Sequence, residues 1–287
     1  MLFQNPRFRI FSPVAVELLA LISFAASPTS VRYDPVSREV VEARLGKYGG
    51  DNAQREASLK NLFADAGCDE QHISEQKVKG SKLPNVMCLL PGSSDKVILV
   101  GAHFDHVSAG DGVVDNWSGA SLLPSLFQSL KNESRKHTFI FIGFTDEEKG
   151  EIVSHFYARH MTREEVAATD AMVNMDTLGL GPTEIWSSHS DQQLSADLAT
   201  IAKQLNISVT GMNVDKIGSS DSEQFVERKI PRITIHSLTQ ETWNARILHT
   251  PKDVLSAVRL DDYYQTYTLV SAYLAYLDQV AGSRAAD

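Results

Sequence analysis

Five short segments carry side chains that can do chemistry together: His103-Phe-Asp105-His106, Asp115-Asn-Trp-Ser-Gly119, Asp146-Glu147-Glu148, Asp176 and His249-Thr-Pro-Lys-Asp253. His103 and His249 with the carboxylates Asp115, Glu148 and Asp176 make a nitrogen and oxygen ligand set without thiolate, which suits zinc or another borderline divalent ion. A catalytic zinc usually keeps three protein ligands and an open position, so five ligands are too many for one ion and right for two if one carboxylate bridges. Asp105, two residues from His103, is placed to orient that imidazole. Taken singly, each is an ordinary polar residue at a strand end, and Glu147-Glu148 is an ordinary solvated turn. Their joint occurrence is the signal. His106, His155, His160 and His189 lack such a context, and Trp117, Trp186 and Trp243 are expected to serve packing.

The apolar pattern puts these segments where strands end. Lys96–Gly101, His137–Phe144 and Ala171–Met175 read as buried strands that run straight into His103, Asp146-Glu147-Glu148 and Asp176. In an open α/β sheet the carboxyl ends of the strands are where ligands bind. Asn85–Leu90 is a further strand, and the turn residues Gly92-Ser-Ser-Asp95 suggest that it forms a hairpin with the 96–101 strand. Helical spacing of Leu59, Leu62, Phe63 and Ala66 stops at Gly67, and Leu122 to Leu130 marks another helix, which Pro124 kinks unless it falls in the first turn. A helical stretch near Ile152 to Met161, a stripe from Leu194 to Leu205, a strand at Ile233–His236 and a closing helix at Leu260–Leu277 complete the alternation. The fold class is α/β, a single domain with a mostly parallel mixed central sheet and helices on both faces.

The 287 residues, 43% hydrophobic and 22% charged, are enough to bury a substantial core, and there is no repeat or flexible linker. A net charge of −9 without a run of Lys or Arg disfavours nucleic acid and suits cationic or zwitterionic ligands. Two cysteines, Cys68 and Cys88, are too few for a disulfide scaffold and can pair only if the chain is exported. Arg7 and Arg9 before the mainly apolar stretch Ile10–Ala26 give residues 1–30 the look of a signal peptide or N-terminal extension, interrupted by Pro13 and Glu17. A periplasmic or extracellular location follows from that reading. No later segment reaches the ~18–20 unbroken apolar residues of a membrane span.

His103-x-Asp105, Asp115-Asn-x-Ser-Gly119, Glu147-Glu148, Asn174-x-Asp176 and His249-Thr-Pro-x-Asp253, in this order, resemble the two-zinc aminopeptidases of peptidase family M28 across residues 38–280. The resemblance implies a zinc-aminopeptidase-like domain over residues 31–287, two zinc ions, and hydrolysis at the N-terminus of peptides that have a free amine. It implies that His103 and Asp176 hold one zinc, Glu148 and His249 the other, that Asp115 bridges them, and that Glu147 is the general base. It also implies a nonproline cis peptide between Asp115 and Asn116. The sequence departs from the family pattern where some members carry a tyrosine, since Leu248 precedes His249, and Ser220-Asp221-Ser222 stands where a Ser-Asp-His segment is expected. Two alternatives share the fold. Glutaminyl cyclases resemble these peptidases with a single-zinc site and without the Asp-Asn-x-Ser-Gly segment, and a noncatalytic binding domain is expected to have lost ligands.

Overall fold

The computed structural model describes residues 31–216 and 218–282; the leader expected over residues 1–30 lies outside them. Two helices, α1 (Arg38–Leu45) and α2 (Asn52–Ala66), precede a strand pair, β1 (Ile73–Gln76) and β2 (Asn85–Leu90). Strand β3 (Val97–His103), α3 (Ser118–Leu130), β4 (Thr138–Phe144), α4 (Ile152–His160), α5 (Arg163–Ala168) and β5 (Thr169–Met175) follow. The chain continues with β6 (Thr183–Trp186), α6 (Gln192–Leu205), β7 (Val209–Met212), β8 (Arg232–His236), α7 (Gln240–Asn244) and α8 (Leu260–Val280). The eight strands form one mixed sheet in the order β1-β2-β4-β3-β5-β8-β6-β7, with β4, β3, β5 and β8 mutually parallel.

The hairpin expected between residues 85–90 and 96–101 does not form. Strand β2 pairs antiparallel with β1 and β4, and β3 lies beyond β4. The connecting segment instead crosses the start of β4, where Ser93 and Ser94 donate to the carbonyls of Arg135 and Lys136 and Gly92 to the Thr138 hydroxyl. A side chain at Gly92 would strike the His137 backbone, which explains the glycine better than a hairpin turn does.

The central strands are apolar on both sides because both sides are covered. Ile98, Val100, Phe139, Phe141, Ala171 and Val173 face the larger core, under α2, α3 and α8, whereas Leu99, Ile142, Phe144 and Met172 face the smaller one, with Ala158 of α4. Helix α2 starts at a capping box formed by Asp51 and Gln54 and ends at Gly67 in the left-handed conformation (φ 97°), as its sequence pattern suggests. Pro124 lies inside α3, past its first turn. Cys68, just after α2, is joined by a disulfide to Cys88 of β2.

One buried cation organises the loops above β3. The guanidinium of Arg55, on α2, donates to the carbonyls of Tyr48 (3.1 Å), Phe104 (3.2 Å), Gly112 (3.0 Å) and Asp111, and it lies over the Trp117 ring. No helix among the described residues is long and apolar enough to cross a membrane. Arg55→Ala strips those carbonyls of their donor inside the protein, so it should destabilise the fold by about 3 kcal/mol. The expected result is a lower urea midpoint with an unchanged denaturant slope.

Candidate active site

The site stands on three neighbouring parallel strands whose C-terminal ends share one edge of the sheet. Gly101 of β3 is level with Asn174 of β5, so His103, the last residue of β3, is level with Asp176, which follows β5. His103 also pairs in register with Phe144 of β4, and three residues later the chain enters a single 3₁₀ turn carrying Glu147 and Glu148. The register of buried strands therefore sets the spacing of three of the five candidate ligands and of Glu147.

Asp115 comes from a turn whose motif residues each have a mechanical part. The Asn116 side chain donates to the Met175 carbonyl (2.9 Å) and accepts from Gly119 N (3.0 Å) and Thr177 N (3.2 Å), tying the turn to the end of β5. Ser118 Oγ donates to the Val114 carbonyl (2.7 Å) and accepts from Leu178 N (2.9 Å). At Gly119 a Cβ would sit 2.6 Å from Asn116 Oδ1 and 2.7 Å from the Met175 carbonyl, so only glycine fits. The Asp115–Asn116 peptide bond is cis. From the far side, the carboxylate of Asp253 accepts Val114 N at 2.6 Å and Asp115 N at 3.1 Å.

These constraints leave the Asp115 carboxylate between two groups. Its Oδ1 lies 3.3 Å from His103 Nε2, and Asp176 Oδ1 lies 3.7 Å from that same nitrogen. Its Oδ2 lies 3.1 Å from His249 Nε2, which is 2.9 Å from Glu148 Oε2. His103, Asp115 and Asp176 thus form one compact set of potential ligand atoms, and Asp115, Glu148 and His249 a second. Glu148 Oε1 is buried without a hydrogen-bond partner, an oxygen free to meet an ion. The donor set of these two groups, all imidazole and carboxylate without thiolate, fits zinc.

Asp105 acts differently from the simple orienting role. His103 Nδ1 is 3.2 Å from the Asp105 backbone carbonyl and 3.6 Å from its carboxylate, while that carboxylate accepts the backbone N–H groups of Glu147 (3.2 Å) and Glu148 (3.3 Å). It therefore fixes the acidic turn as well as facing the imidazole. Glu147 Oε2 lies 3.8 Å from His103 Nε2.

The electrostatics are those of crowded acids out of water. Burial first, and then Asp221, Asp176 and Asp115, push the Glu147 carboxyl up to about 10, against the pull of His103. Glu148 is also raised by burial, and Asp221, wholly buried nearby, is pushed up to about 7. For Asp115, burial acts upward, but hydrogen bonds from His103 and His249 outweigh it and hold the carboxyl below its ordinary range. Bonds to Asp115 and Glu148 hold the His249 imidazole up at about 10, and His103, although burial opposes it, is raised by Glu147 and the surrounding carboxylates.

All of this opens into a cavity of about 760 Å³. Its apolar wall includes Trp186, Leu238, Trp243, Ile247 and Leu248, so two of the three tryptophans expected to serve packing face the cavity, and only Trp117 is wholly core. His106 is half-buried beside the Val107 carbonyl, His155 and His160 are exposed, and His189 stacks on Trp186 at 4.2 Å. The anchoring part played by Asp253 went unassigned in the sequence, although the His249-Thr-Pro-x-Asp253 spacing carried the signal.

Residues 85–274 match the family model described as Peptidase family M28. Aminopeptidase YwaD of Bacillus subtilis is 26% identical over 226 residues, 76% of this chain and 47% of that protein, so the chain spans about half the length of this relative. Among solved structures, the Legionella pneumophila LapA aminopeptidase superposes with a TM-score of 0.75 at 18% identity, covering 85% of this chain and 72% of that one. A glutaminyl cyclase from an Acidobacteriales bacterium superposes with a TM-score of 0.72 at 16% identity, covering 88% of this chain and 99% of that one. These two structural likenesses concern the fold.

Two outcomes follow from the geometry. Asp253→Asn leaves one acceptor where two backbone N–H groups need an anion, so Asp115 loses its fixed orientation, and zinc affinity should fall about 10–100-fold in chelator competition. Because His249 is held up at about 10 and so keeps its proton at pH 7 without an ion, and His103 is raised in the same direction, ligation of zinc by these imidazoles should release protons and weaken as pH falls. Calorimetry in two buffers of different ionisation enthalpy would read that release.

Proposed function

Because the chain belongs to peptidase family M28, we propose that it is an aminopeptidase that holds two zinc ions and hydrolyses the N-terminal peptide bond of peptides with a free amine. The observation that carries this reading is the Asp115 carboxylate, each of whose oxygens faces a different imidazole–carboxylate group inside one cavity. On this reading His103 and Asp176 hold one ion, Glu148 and His249 the other, and Asp115 bridges. When bound, the ions supply Lewis acidity toward a water and toward the scissile carbonyl oxygen.

Everything else is done by the chain itself. Glu147 accepts the proton of the attacking water and returns it to the leaving amine, a role that needs the charge of the bound ions to offset the burial and like charges that otherwise keep this carboxyl protonated. Asp105 keeps Glu147 turned toward the reaction by accepting its backbone N–H. Carboxylates that line the cavity favour a cationic α-ammonium group, and the apolar wall with Trp186 and Trp243 accommodates an apolar side chain next to it. The Cys68–Cys88 disulfide supports export to an oxidising compartment, with residues 1–30 as the leader.

Chelation should abolish hydrolysis of aminoacyl fluorogenic substrates, and zinc or cobalt should restore it. Glu147→Gln keeps size and hydrogen bonding but cannot take the proton, so kcat should fall about 10²–10⁴-fold with little change in substrate binding. Glu148→Gln should weaken one ion site, so that a zinc titration partly rescues it. Rescue of Glu147→Gln by zinc, or near-normal turnover in it, would reverse the assignment of the two neighbouring glutamates.

A further inference from the structure

The cavity wall is acidic where ions would sit, with Asp115, Glu147, Glu148 and Asp176, yet among the described residues that line it there is one arginine, Arg246, and no lysine. This side chain is exposed and forms no ion pair with any described acid, unlike Arg38 or Arg259, each of which lies against an aspartate. Its backbone is pinned. Arg246 N donates to the Trp243 carbonyl (3.0 Å), its own carbonyl accepts from Thr250 Oγ1 (2.9 Å), and its φ of 50° lies in the left-handed region, which a non-glycine residue enters uncommonly. The arginine is therefore presented by a fixed turn, three residues before His249.

That placement has a reach. With consecutive Cα atoms 3.8 Å apart, Arg246 and His249 have Cα atoms no more than about 11 Å apart, and an extended dipeptide or tripeptide spans about 7–10 Å. A short peptide with its amino end among the acids is therefore long enough to bring its carboxyl end to this part of the wall. The guanidinium is a planar fork suited to a carboxylate in a bidentate arrangement.

We propose that Arg246 is a specificity-determining residue that binds a carboxylate on the leaving side of the substrate, so that the enzyme selects dipeptides and tripeptides with a free C-terminus. This rests on the aminopeptidase reading and adds to it the length and the far-end charge of the substrate. An acidic side chain after the scissile bond presents the same chemistry, so the test separates the two sources.

The experiment compares Leu-Leu, Leu-Leu-NH₂ and Leu-Glu-NH₂ as substrates of the zinc-loaded protein and of its Arg246→Gln and Arg246→Lys variants, with thermal melts to check folding. In the native protein kcat/KM for Leu-Leu should exceed that for Leu-Leu-NH₂ by about 10- to 100-fold, chiefly through KM. Arg246→Gln should bring Leu-Leu down to the level of the amide, and Arg246→Lys should keep part of the difference. If Leu-Glu-NH₂ rather than Leu-Leu shows an advantage that Arg246→Gln removes, Arg246 binds a side-chain carboxylate, and the selection for a free C-terminus is overturned. Equal use of all three by the native protein, or a preference that survives Arg246→Gln, would overturn the proposal. Calorimetric binding of Leu-Leu against Leu-Leu-NH₂ to zinc-loaded Glu147→Gln reads the same difference without turnover. Failure of hydrolysis with that binding difference intact would therefore count against the aminopeptidase reading and not against Arg246.

Discussion

The carboxylate of Asp253 receives two consecutive backbone N–H groups, those of Val114 and Asp115, and the geometry of the site depends on that pair of hydrogen bonds. Asp115 must point each of its oxygens at a different imidazole, which a freely rotating surface aspartate cannot do. Asp253 holds the turn from one side and Asn116 from the other, through Met175, Gly119 and Thr177. Burial raises Asp253 to about 6, so at neutral pH it remains an anion able to accept both bonds. Because Asp253 lies four residues after His249, the same short segment supplies that imidazole and fixes the carboxylate opposite it.

Around that turn the protein concentrates like charges that oppose one another. Glu147, Glu148, Asp176 and Asp221 gather around the ends of β3, β4 and β5, and burial raises the carboxyls of Glu147, Glu148 and Asp221. A divalent cation would invert this balance, since an ion is the largest local charge at a site and turns crowded carboxylates from a liability into ligands. Residues that break the rules of a stable interior mark a functional site when they converge on one cavity, as they do here.

Much of this was legible in the sequence because buried strands leave a strong trace. The apolar runs of β3, β4 and β5 located the strand ends, and with them His103, Glu147, Glu148 and Asp176. Strand order was not legible. The run at 85–90 and that at 97–103 look like hairpin partners because they are close in sequence, whereas β4, forty residues later, is what lies between them. Strands β6 and β7 were missed since four residues such as Thr183-Glu-Ile-Trp186 make no periodic signal. Nor does periodicity separate a tryptophan in the core, like Trp117, from one on a cavity wall, like Trp186, and the four carbonyls gathered by Arg55 come from loops that only the fold brings together.

The central claim is that Asp115 stands between two ions, and it is tested most directly by how many zinc ions bind and where. Equilibrium zinc titration of the full chain, with anomalous diffraction at the zinc edge, should give two equivalents. The two peaks should flank the Asp115 carboxylate, one beside His103 and Asp176 and the other beside Glu148 and His249. A single equivalent with one peak, the pattern of a one-zinc cyclase site, would contradict the account.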